Sequence, residues 1–113
     1  MKLDRDINAD GLGKYAVINL RKLREMCSSN PFLHWSPEVA NALQTLDDIG
    51  AIDWGKVGEK DEFFVMKLRD KYAGHALRQY AHAVSCDDPE YAHAVLELVN
   101  RAGENSLFCK TPD

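Results

Sequence analysis

Between Val39 and Ile49 the apolar side chains of Val39, Ala42, Leu43, Leu46 and Ile49 return at three- and four-residue spacing. Asn41, Gln44, Thr45, Asp47 and Asp48 fill the opposite face, which predicts an amphipathic helix with one buried stripe. Its ends are marked as well. Ser36 is suited to the N-cap, Pro37 to the first turn, where a missing N–H is harmless, and Glu38 to the positive end of the helix dipole. Gly50 supplies the left-handed residue at which helices stop. The same helical period returns from about Asp70 to Ser85, where Tyr72, Ala76, Leu77, Tyr80, Ala81 and Val84 make one face. Ala73, Gly74 and Ala83 there allow close approach of a neighbour. After SCDDP a third helix is expected, capped by Asp87 or Asp88 with Pro89 in its first turn. Tyr91, Ala94, Val95, Leu98 and Ala102 face inward until Gly103 stops it. So short a connection makes the last two helices an αα-hairpin.

Period-two and β-rich stretches complete the pattern. Residues 14–20, KYAVINL, predict a strand, and the charged run RKLREM predicts a short helix starting near Asn19. CSSNPFLHWSP reads as a connection, with Phe32, Leu33 and Trp35 lying against the core. AIDW, the turn GKVGEKD and EFFVMKLR together predict a β-hairpin. In the closing NSLFCKTPD, Leu107 and Phe108 are expected to dock while the last residues fray. The expected architecture is therefore α+β: a small two- to three-stranded antiparallel sheet with an amphipathic helix and a C-terminal helical hairpin. It forms a single domain over 1–113, with a partly disordered N-terminus at 1–13, a sheet and helix core at 14–69, the helical hairpin at 70–103 and a tail at 104–113.

Composition narrows the class. At 113 residues, 45% hydrophobic and 28% charged, the chain can build one modest core. No apolar run reaches membrane-spanning length, and the start is charged where a signal peptide is apolar, which points to a cytoplasmic chain and no membrane partner. Three cysteines, Cys27, Cys86 and Cys109, form no CxxC pair, so reduced and mostly buried thiols are expected. The net charge of −4 alternates along the sequence: +2 over 1–30, −5 over 31–62, +3 over 63–80 and −4 over 81–113. Nucleic-acid readers concentrate basic residues instead, because phosphate contacts gain from releasing counterions. The helix at 36–49 carries Glu38, Asp47 and Asp48 and no Lys or Arg, which disfavours its seating in a groove between phosphates.

Little points to catalysis. HExxH, GxSxG, a P-loop and a glycine-rich dinucleotide turn are all absent from the sequence, and Asp47/Asp48 and Asp87/Asp88 are adjacent pairs whose carboxylates point apart. His75, His82, Cys86 and His93 could converge as a zinc set in a helical hairpin, but their spacing matches no compact ligand motif. Cys27 beside Arg24 is better read as a small buried hydrophobe than as a reactive thiol. No catalytic residue, cofactor or metal is therefore assigned. What remains are aromatic anchors, Trp35, Trp54, Phe63, Phe64 and Phe108, most of them needed in the core. Trp54 and Phe63 on the hairpin, beside Asp47 and Asp48, are the candidate interaction surface for a partner protein or a second copy of the chain.

Two resemblances follow from these residues. VANALQTLDDIGAIDWG…EFFVMKL resembles the recognition helix and wing of winged helix-turn-helix domains over residues 14–69, which implies a strand-flanked helix and transcriptional regulation through DNA. In overall style, compact and poor in motifs with a short tail, the chain resembles small accessory proteins of bacteriophages and prophages, a likeness carried mainly by DEFFVMKLRDKYA and NSLFCKTPD and by no functional motif. That likeness implies binding to a host protein, with the acidic helix mimicking nucleic-acid charge.

Overall fold

The computed structural model describes residues 1–27 and 36–112, so the anchors Phe32, Leu33 and Trp35 lie outside the described residues, as do the side chains of Arg24 and Cys27. Among the described residues five α-helices occur in order: α1 (Asp4–Ile7), α2 (Leu20–Cys27), α3 (Pro37–Asp48), α4 (Ala73–Val84) and α5 (Pro89–Val99), followed by a 3₁₀ turn at Gly103–Asn105. Among the described residues there is no strand, only one isolated parallel bridge between Asp70 and Lys110. The α+β expectation, with its antiparallel sheet, is thereby corrected: the described residues are all-α, and the strands and wing implied by the winged-helix likeness are not formed among them.

The reason is visible in each β-rich stretch. At 14–20 the end of the run is taken by a helix: Asn19 Oδ1 accepts the Lys22 N–H at 3.0 Å, and α2 starts at Leu20, as the RKLREM run predicts. AIDW is interrupted by Gly55, whose φ of 64° breaks strand geometry immediately after Trp54. Gly58, at φ 81°, sits in the following turn. No ladder then forms between 51–54 and 62–69, and β-propensity without a pairing partner does not make a strand.

The chain divides into two compact units, Met1–Ala16 with Val65–Asp113, and Val17–Phe64. In the first, α4 and α5 pack as the expected hairpin across the connection at 85–88. Asp88 caps α5, accepting the Tyr91 N–H at 3.0 Å, and Pro89 opens the helix. The buried residues are small or branched: Ala73 and Ala81 from α4, Ala92, Val95, Leu98 and Val99 from α5, and Ala102 beyond it. The buried face of α4 keeps Leu77, Ala81 and Val84 from the predicted one but not its tyrosines. Tyr72, Ala76, Tyr80 and Ala83 are exposed, while Ala73, Gly74 and Ala81 are buried and Leu77 and Val84 half-buried. Alanine and glycine let the two backbones approach, whereas a tyrosine on the contact line would hold them apart. Tyr80 instead lies at the flank, edge-on to Tyr91 with ring centroids 6.3 Å apart.

The end of the hairpin is held by main chain. Gly103, at φ 57°, donates its N–H to the Leu68 carbonyl at 2.7 Å, the Lys110 N–H donates to Arg69 at 2.9 Å, and the Lys71 N–H donates to Lys110 at 2.9 Å. Asn105 Nδ2 donates to the Val99 carbonyl, satisfying an acceptor at the end of α5. This backbone clamp corrects the expectation for the tail: Leu107 is 96% exposed and Phe108 also points to solvent, so the tail docks through amides and carbonyls rather than through its apolar side chains.

In the second unit, Ser36 Oγ accepts the Val39 N–H at 3.3 Å, Pro37 stands in the first turn and Glu38 follows, as predicted. The C-terminus of α3 closes as a Schellman motif. Gly50, at φ 74°, donates to the Asp47 carbonyl and Ala51 to the Leu46 carbonyl, both at 2.9 Å. Of the predicted apolar stripe only Leu43 is buried, Val39 is half-buried, and Ala42, Leu46 and Ile49 are exposed. Among the described residues of the chain, no helix is long and apolar enough to cross a membrane.

Candidate functional site

The four residues singled out as an interaction surface, Asp47, Asp48, Trp54 and Phe63, all lie within Val17–Phe64. The Schellman turn at Gly50 sends the chain back along the end of α3, so that Trp54 returns to the helix it has just left. Its indole Nε1 donates to Asp47 Oδ1 at 3.0 Å, fixing the ring while leaving its apolar body partly open to solvent. Asp48, the next residue, accepts from Gln44 Nε2 at 2.7 Å across one helical turn. Phe63 is brought in from the far side of the loop. Its ring covers Gly55, where a Cβ would stand only 2.6 Å from Phe63 Cδ1. Glycine at 55 thus serves twice, accepting a positive φ and admitting an aromatic ring against the backbone.

Beside Trp54 the loop encloses an open cleft of about 170 Å³, lined also by Ile52, Asp53, Gly55, Lys56, Glu59 and Asp61. Ligand pockets for small molecules and cofactors run from roughly 300 to 1,000 Å³, so this volume suits a single side chain better than a cofactor. Its rim is shaped by the turn at 57–61, where the Gly58 N–H donates to Glu62 Oε1 at 3.0 Å and the Glu62 N–H to the Glu59 carbonyl at 3.2 Å. The lining of the cleft carries three carboxylates, Asp53, Glu59 and Asp61, and one cation, Lys56. The sequence pattern treated 55–61 as a plain hairpin turn. Gly55 and Gly58 mark a turn in the sequence, but not that the loop folds back on itself.

The remaining candidates do not assemble. His75, His82, Cys86 and His93 are exposed, and His93 Nε2 is 3.2 Å from Glu97 Oε1 one turn along α5. No group of three or more His, Cys, Asp or Glu that could hold a metal ion occurs among the described residues. Cys86 and Cys109 are free and exposed, which corrects the expectation of mostly buried thiols. Cys86 lies in the connection between α4 and α5 and Cys109 in the tail, where neither is covered by a neighbouring element. Family models, curated proteins and solved structures yield no match to the chain.

Proposed function

We propose that the chain is a non-catalytic protein-binding module, and that its binding surface is the patch formed by Asp47, Asp48, Trp54 and Phe63. The Asp47–Trp54 hydrogen bond carries this reading, because it joins the acidic end of α3 to an aromatic anchor already ordered before any partner arrives. Ordered, half-open aromatics are the groups that dominate contact energy in protein interfaces. Carboxylates around them favour a partner presenting basic side chains, and they repel a phosphate backbone. The chain's general resemblance in style to phage and prophage accessory proteins makes a host protein the partner to look for.

The test compares the proteins retained from host extract by the wild-type chain, by the double variant Trp54→Ser/Phe63→Ser, and by a control altered on α5, Leu96→Ser. A retained protein that the double variant loses and the control keeps supports the reading. Retention indifferent to Trp54 and Phe63 would overturn it, and so would binding to random duplex DNA that weakens steeply with added salt.

A further inference from the structure

We draw no further inference here: the strongest candidate, the solvent-facing pair Leu107 and Phe108 on the clamped tail after α5, is an unpartnered apolar patch, and nothing in the structure shows what covers it.

Discussion

The helices α3 and α5 begin with the same local grammar and end in different surroundings. Ser36-Pro37-Glu38-Val39-Ala40 and Asp88-Pro89-Glu90-Tyr91-Ala92 both place a capping oxygen, a proline and a glutamate in sequence, and in both the cap accepts the N–H three residues on. Their burial then diverges. Ala40 is exposed where Ala92 is buried, and Leu46 is 37% exposed where Leu98, at the corresponding place, is 7% exposed. Only Leu43 and its counterpart Val95 are buried in both. Capping needs nothing beyond the first turn, whereas burial needs a neighbour, and α4 supplies one to α5.

The largest expected difference lies in the core. Leu98→Ala should destabilise the hairpin by about 2–5 kcal/mol. Leu46→Ala, at a partly open position, should cost less, about 1 kcal/mol. Urea unfolding read by amide hydrogen exchange in each helix separates the two, and equal losses would mean that α3 is as well packed as α5.

The glycines after the two helices sharpen the contrast next. Both Gly50 and Gly103 have positive φ, but a Cβ at Gly50 meets nothing within 4 Å, while one at Gly103 stands 2.9 Å from the Lys71 carbonyl and 3.2 Å from the Gly74 nitrogen. Gly50→Ala should cost about 1 kcal/mol for the left-handed backbone alone. Gly103→Ala adds a clash with main chain and should cost about 1–3 kcal/mol, seen as a lower melting temperature and faster exchange at the Lys71 and Gly103 amides.

Smaller still are the caps. Ser36→Ala should weaken α3 by about 1 kcal/mol, and Ser36→Gly by only a few tenths, because glycine also suits the position. The measurement is helical content by circular dichroism along a thermal ramp, and a silent Ser36→Ala would show that tertiary contacts rather than the cap hold the start of α3.

The smallest effect is on pH. Asp88 carries a second partner, the amino group of Met1 at 2.9 Å. That ammonium, donating a hydrogen bond, and then the Tyr91 N–H hold the Asp88 carboxyl below the ordinary carboxylate range. Its contribution to stability is therefore present above that ordinary range and is lost as pH falls through the depressed value. Asp88, aided by Glu90, in turn raises the Met1 amine above the usual range for an α-amino group. This share is present below the usual amine value and disappears as pH rises through the raised one. Asp88→Asn keeps an oxygen for the cap but should flatten both limbs of the stability profile. A profile unchanged by that substitution would remove the pair from the account.

Two of the four residues named from the sequence as a candidate surface meet in the structure. Asp47, Asp48, Trp54 and Phe63 stood out as carboxylates and aromatics around a turn, and the hydrogen bond from Trp54 to Asp47 brings the key two together. The route was not legible. A β-hairpin was expected to display Trp54, but it is a Schellman turn followed by the positive φ of Gly55 that folds the loop back onto α3. A single positive-φ residue cancels the alternation on which a strand reading depends, and nothing in a one-dimensional pattern says which glycine will take that conformation. The tyrosines of α4 were misplaced for a related reason. Tyr72 and Tyr80 look like core by hydropathy, yet the gain from bringing two backbones together over Ala73 and Ala81 puts the tyrosines at the rim.

What the amino-acid order determined unaided are the starts of three helices and the end of one: Asn19, Ser36 and Asp88 start α2, α3 and α5 and Gly50 stops α3, since each acts on amides or dihedrals within a single turn. Which stripes are buried, whether KYAVINL or EFFVMKLR pairs into a sheet, and how the tail is clamped between Arg69 and Lys71 were decided only by tertiary structure. Those outcomes depend on groups far apart along the chain, whose meeting no local spacing encodes.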